Sequence, residues 1–161
     1  MFYEEVFKAF NKARIKYLVA GGLAVNLYGV PRMTQDLDCL VDLGPENIKK
    51  LLKALKSLGY VSRLPVNPEL ISDPAVRKEW ITRKNMKVFS FYHRRIPVQE
   101  IDILITAPVN IELALKKKTI KRAGKLVIPL VSLRDLIKMK RKAGRLTDLS
   151  DIKMLKMLPK E

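Results

Sequence analysis

Residues 19–42 read VAGGLAVNLYGVPRMTQDLDCLVD, and that order of residue types constrains the fold more than any other stretch of the chain. An apolar strand, Ile15 to Ala20, ends on the pair Gly21-Gly22, and Leu23 to Tyr28 continues as a helix that Gly29 and Pro31 terminate. Glycines at such a turn leave backbone N–H groups bare at the positive end of the helix dipole, where a phosphate can approach. A loop, Val30 to Gln35, then leads into a second strand, Asp36 to Leu43. Alternation puts Asp36, Asp38, Leu40 and Asp42 on one face of that strand and Leu37, Cys39, Val41 and Leu43 on the other, the core face. Two carboxylates side by side repel each other, and holding them ionised next to a core is costly without a cation. Magnesium meets that need, because it binds one or two carboxylates together with substrate phosphates. The stretch points to metal-dependent chemistry on a nucleoside triphosphate.

A third carboxylate is available in VQEIDILIT, residues 98–106, where Asp102 stands between Ile101 and Ile103 in an otherwise apolar strand. Glu100 shares its face and is the rival; Asp102 is preferred because its apolar neighbours leave less room for a merely solvated acid. An acid in that position would ligate a metal and accept the proton of an attacking hydroxyl. Arg32 and Thr34 lie in the loop feeding the Asp strand, within reach of a triphosphate, although a plain surface arginine is an equal reading of Arg32. Lys140 continues the stripe Leu133, Leu136, Ile137 on the inward face of its helix. A charge there needs a partner, either a phosphate or a structural carboxylate such as Asp148. His93, beside Arg94 and Arg95, reads as a solvated hairpin tip, Cys39 as a small buried hydrophobe, Trp80 and Tyr92 as packing aromatics, and Asp42 as a strand-end or capping acid.

The rest of the chain reads as mixed α/β. Tyr3, Val6, Phe7, Phe10 and Ala13 recur at helical spacing, and Gly44-Pro45 opens a helix striped by Ile48, Leu51, Leu52, Leu55 and Leu58 that Gly59 stops. Tyr60 to Leu64 is a strand. Pro65 to Asn85, with three prolines and weak periodicity, is expected to be a long connection holding a short helix near Ala75 to Trp80. Met86 to Tyr92 and Val98 to Thr106 are expected to pair as an antiparallel hairpin. A short helix, Ile111 to Lys117, and two small strands, Thr119 to Arg122 and Leu126 to Pro129, precede a helix Leu133 to Ala143 capped by Ser132, and a last helix capped by Thr147 or Asp148. The expectation is a single domain over 1–161 with a central mixed sheet flanked by helices: a core over 1–107 and a basic, mainly helical part over 108–161.

Charge narrows the partners. The net charge is +16, and residues 116–161 hold 15 Lys and Arg against 4 Asp and Glu. A field of that sign concentrates polyanions such as nucleotides, RNA or an acidic partner protein, while lysines that simply solvate exposed helix faces are the bland alternative. No apolar run approaches the ~18 residues a membrane span needs. The start MFYEEVFKAF lacks the pattern of a secretory signal, and a lone cysteine forms no internal disulfide, so the chain is expected in the cytoplasm.

Gly-Gly after a strand, Asp-hydrophobic-Asp soon after it, and a lone acid in a later strand together resemble the DNA polymerase beta-like nucleotidyltransferase superfamily. The C-terminal VSLRDLIKMKRKAGRLTDLSDIKML is similar to that of its small prokaryotic members, the abortive-infection and toxin–antitoxin nucleotidyltransferases. The resemblance implies an α/β (α+β) nucleotidyltransferase fold and transfer of NMP from an NTP, ATP among them, to an acceptor hydroxyl with release of pyrophosphate. It implies that Asp36 and Asp38 bind two magnesium ions, with manganese as the substitute, that Asp102 completes the metal site, and that Gly21 and Gly22 hold the β- and γ-phosphates. Arg32, Thr34 and Lys140 would complete the nucleotide site. Many members carry Gly-Ser where this chain has Gly21-Gly22, so only backbone amides are offered there. The acceptor is expected to be RNA such as tRNA, or a partner protein, with a homodimer or a cognate toxin or antitoxin as further partners. The alternative is a non-catalytic antitoxin or partner-binding module on the same fold.

Overall fold

In the computed structural model, which describes residues 2–160, strand β1 (Tyr17–Ala20) is buried at all four residues. It lies inside a seven-stranded sheet of order β3-β4-β5-β2-β1-β7-β6, where β2 is Leu37–Val41, β3 Tyr60–Ser62, β4 Val88–His93, β5 Glu100–Leu104, β6 Thr119–Ala123 and β7 Leu126–Leu130. The pairs β1–β7 and β2–β5 are parallel and the others antiparallel. The sheet is therefore mixed, as expected, and the basic part over 108–161 contributes β6 and β7 to it.

Register sorts the residues of the sheet onto two faces, because directly paired residues point the same way. Tyr17 pairs with Val41, Val19 with Cys39, Leu37 with Ile101, and Ile103 with both Cys39 and Phe89. That face is dry. Tyr17 lies against Phe7 and Phe10 of helix α1 (Glu4–Lys12), and Trp80 stacks on Phe89. Helix α3 (Pro45–Ser57) packs beside α1, with Pro45 in its first turn as read from the sequence. The opposite face carries Ala20, Asp38, Asp102 and Ser90 in one row across β1, β2, β5 and β4. Helix α2 (Gly21–Tyr28) packs on β1 and β2, and α6 (Leu133–Ala143) and α7 (Leu146–Lys156) pack on α2 and on each other.

Four expectations are corrected. Residues 65–85 hold more structure than a long connection with one short helix: Pro68–Ser72 forms a 3-10 turn, and the helix expected near Ala75 to Trp80 runs as α4 over Pro74–Lys84. The Asp73 carboxylate accepts from the backbone N–H of Ala75 at 2.9 Å, and Pro74 sits in the first turn, a start signal that weak apolar periodicity hid. Ile71 and Trp80 fasten the segment to the core. The β2 strand begins at Leu37, so Asp36 lies just before it and is exposed. The last helix is capped from Arg145, with Asp148 in the first turn accepting from the Arg145 backbone N–H at 3.2 Å. His93 is half-buried, edge-on to Tyr60, and its Nδ1 accepts from the N–H of Arg95 and Ile96, so it organises the hairpin tip. A short helix, α5 (Ile111–Lys116), follows the hairpin. Among the described residues no helix is long and apolar enough to cross a membrane.

Candidate active site

The β2–β5 register sets the centre of the site. Asp38 pairs with Asp102 across two parallel strands, and Leu37 with Ile101, so one step back Asp36 lies toward Glu100. Asp38, Asp102 and Glu100 thus lie on one face of two neighbouring strands, with Asp36 just before the first of them and near enough to Glu100 to feel its charge. Burial pushes the Asp38 carboxyl up to about 6, with the charges of Asp102 and Asp36 adding to it and Lys140 and Arg145 pulling partly back. Burial also raises Asp102, against the hydrogen bond that Ser90 Oγ donates to its Oδ1 at 2.5 Å. Asp36 is raised by burial and then by Glu100. Glu100 is engaged by the Arg63 guanidinium, which also lies 5.1 Å from the Tyr92 ring centre. Among the described residues neither Asp38 nor Asp102 has a Lys or Arg within ion-pair distance. No three His, Cys, Asp or Glu side chains among them close on a single metal position as they stand.

Gly21 sits directly against these acids. Its φ is +61°, a left-handed value that glycine adopts without strain, and a Cβ on it would come 1.9 Å from Asp38 Oδ2. Gly22 is crowded from the other side: a Cβ there would stand 2.7 Å from Thr34 Oγ1 and 3.1 Å from the Arg32 guanidinium carbon. The glycine pair therefore brings the first turn of α2, the Asp38 carboxylate, the Thr34 hydroxyl and Arg32 into one cluster. A hydroxyl stands beside Gly22 although residue 22 carries none. The helix begins at Gly21, two residues earlier than periodicity suggested, because glycine gives no periodic signal.

The fold of the chain is similar to that of several solved structures. The lincomycin-bound lincosamide antibiotic adenylyltransferase LnuA superposes with a TM-score of 0.63 at 18% identity over 97% of each chain. The chain has the nucleotidyltransferase fold. ANT(2")-Ia in complex with adenylyl-2"-tobramycin matches at a TM-score of 0.59 and 12% identity, over 94% of this chain and 83% of the other. A putative nucleotidyltransferase of Thermotoga maritima, TM1012, matches at 0.58 and 14%, over 93% and 87%. No family model matches the chain, and no curated protein matches it by sequence.

Within this nucleotidyltransferase fold, Lys140 is buried and pairs with Asp151 at 2.8 Å and Asp148 at 3.3 Å. Asp148 was the structural partner considered for it; Asp151, from the same helix face one turn on, carried no sequence signal beyond its spacing. Arg32 also reaches Asp151, at 2.6 Å. Burial alone would raise the Asp148 carboxyl, but the Arg145 hydrogen bond and the Lys140 charge outweigh it and hold it below the usual range. Tyr3 was read only as a helix-face residue. Its hydroxyl donates to the Gln35 carbonyl, with the Glu100 carbonyl 3.0 Å away, and accepts from the Glu100 N–H at 3.2 Å, tying the residue before Asp36 to the start of β5.

Two outcomes follow from these charges. Because the folded-state carboxyl of Asp38 lies above its ordinary 3.8, at about 6, the native state holds that proton more tightly than the unfolded chain. Metal-free protein should lose stability as pH rises from about 4 through about 6, on the order of 2–3 kcal/mol from this group. Asp36 and Asp102 act in the same direction. Urea denaturation from about pH 4.5 to 7.5 measures this, and Asp38→Asn should flatten the slope. Lys140→Met removes the buried cation between Asp148 and Asp151. Each acid keeps one arginine, so the loss should be about 2–3 kcal/mol, smaller than for a fully orphaned charge.

Proposed function

We propose that the chain transfers a nucleoside monophosphate, with ATP as donor, to an acceptor hydroxyl and releases pyrophosphate. The observation that carries this reading is the Asp38–Asp102 pairing with Gly21 packed against Asp38. The donor set fits a hard divalent cation: it offers only carboxylate oxygens, raised by burial and mutual repulsion, and among the described residues no lysine or arginine pairs directly with Asp38 or Asp102. Asp36, Asp38 and Asp102 would hold magnesium, two ions in this reading, or manganese in its place. When bound, the metal neutralises triphosphate charge and polarises the phosphorus under attack.

The chain's own groups do the rest. The N–H groups of the first turn of α2 meet the β- and γ-phosphates at the helix dipole's positive end, with the Thr34 hydroxyl and Arg32 beside them. Asp102, oriented by Ser90, takes the proton of the acceptor hydroxyl as its oxygen bonds to the α-phosphorus. The bond from that phosphorus to the β-phosphate bridge breaks, and pyrophosphate leaves on the Gly22 side. Since attack is in line, the acceptor approaches from the opposite side, over Ser90, Tyr92 and Arg63. Holding both reactants in this geometry supplies much of the acceleration.

The two antibiotic-modifying neighbours favour an adenylyl donor. The net charge of +16 favours a polyanionic acceptor, RNA such as tRNA, over a cationic aminoglycoside. The test is incubation of wild type and Asp36→Asn/Asp38→Asn with each NTP labelled at the α-phosphorus, magnesium and cell extract, followed by separation of RNA, protein and small molecules. Label transferred by the wild type alone is expected. Magnesium-dependent nucleotide binding with no transfer to any class moves the assignment to a non-catalytic binding module.

A further inference from the structure

Asp151 touches none of the acids that face the sheet, yet it joins elements far apart in the chain. Its Oδ2 accepts from Arg32 Nη1 at 2.6 Å and pairs with Lys140 Nζ at 2.8 Å. Asp148, one turn earlier on α7, pairs with the same Lys140 and with Arg145. The result is a row of alternating charges, Arg32, Asp151, Lys140, Asp148 and Arg145, whose middle three members are buried. If Asp151 served only to neutralise Lys140, Asp148 would already do so. Instead, Asp151 spends its shortest contact on Arg32.

Arg32 is the member that reaches the phosphate side. Its guanidinium carbon lies 3.1 Å from where a Cβ on Gly22 would stand. Its backbone N–H donates to Asn26 Oδ1 and its Nε to the Met33 carbonyl, whereas its Nη2 has no hydrogen-bond partner among the described residues. A free arginine gives up many rotamers when it binds a ligand, and one already held in place does not. We propose that Asp151 is a positioning residue for the NTP: it fixes Arg32 with an open edge beside the first turn of α2, and so makes α7 part of the donor site. This inference rests on the function proposed above.

The test is a double-mutant cycle on nucleotide affinity. Titration calorimetry with magnesium and the α,β-methylene analogues of ATP, GTP, CTP and UTP gives Kd for wild type, Asp151→Asn, Arg32→Ala and the double variant, well below each unfolding midpoint. Asp151→Asn is expected to weaken binding roughly tenfold, Arg32→Ala by at least as much, and the double variant no more than Arg32→Ala alone. Asp151→Glu keeps the buried charge balance while displacing the carboxylate, and should also raise Kd if Asp151→Asn proves too unstable to titrate. In turnover the loss falls on KM for the NTP, whereas a purely structural defect would lower kcat by reducing the folded fraction. Unchanged Kd in folded Asp151 variants, or additive effects in the cycle, overturns the inference alone. A wild-type chain that binds none of the analogues overturns the function and the inference together.

Discussion

Replacing Asp38 with Asn is expected to lower nucleotidyl transfer by at least about 10²-fold, the scale seen when a preorganised electrostatic group is removed, without destabilising the protein. The two halves of that result come from one cause. Asp38 is pushed up to about 6 by burial and by the charges of Asp102 and Asp36. The wild-type fold therefore carries repulsion that an isosteric amide relieves. The same charge is what a divalent cation and a triphosphate would need, and an amide offers no substitute for it. Steady-state transfer and urea denaturation at neutral pH, run on the same preparations, measure both halves. Retained activity would remove the acid pair from the reaction. A joint loss of activity and stability would make Asp38 a structural acid.

Gly21→Ala should be the most damaging single-methyl change in the chain. The left-handed φ of +61° costs a non-glycine residue about 1–2 kcal/mol, and the added methyl would lie 1.9 Å from Asp38 Oδ2, far inside contact distance. Overpacking of that kind adds about 1–3 kcal/mol. Either the α2 turn or the Asp38 carboxylate has to move, so the expected outcome is a loss of about 3 kcal/mol in denaturant unfolding together with loss of magnesium-dependent nucleotide binding. Gly22→Ala has an easier escape, because the Thr34 hydroxyl that crowds it belongs to a side chain that can rotate. A large difference between the two variants is therefore expected; equal tolerance would mean that Asp38 does not pack on the glycine turn.

What could be read before the structure was what local chemistry repeats along the chain. Period-two alternation sets Asp38 on the face of its strand opposite the core, the apolar neighbours of Asp102 mark it as an acid embedded in a buried strand, and the glycine pair marks the turn into α2. Which acids stand side by side could not be read so directly, since register between β2 and β5 is a long-range property. The position of Asp36 just before the strand goes with a contact that is also distant in sequence: Tyr3, at the start of the chain's first helix, takes the Gln35 carbonyl with its hydroxyl. In segment 65–85 the short helix expected near Ala75 to Trp80 extends over Pro74–Lys84, a length that apolar spacing does not signal because α4 buries chiefly Trp80. Its start was written in Asp73-Pro74 and not in hydrophobic spacing. Asp151 illustrates the remaining limit. Spacing shows that it shares a helix face with Asp148, but its second partner, Arg32, lies 119 positions away.

The parallel pairing of β1 with β7 has a consequence for how the chain is made. Val19 lies opposite Leu130, and the Val131 N–H donates to the Val19 carbonyl at 3.0 Å. The strand that leads into the glycine turn thus leaves the ribosome about 110 residues ahead of its neighbour. At roughly 5–20 residues per second, the wait is on the order of 5–20 s. Throughout it β1 exposes an unpaired edge, an invitation to intermolecular strand addition. A nascent chain stalled before Leu126 would hold Asp38 and Asp102 on β2 and β5 but leave the β1 edge beside the glycine turn open, which makes this interval the one in which a holdase chaperone would matter most.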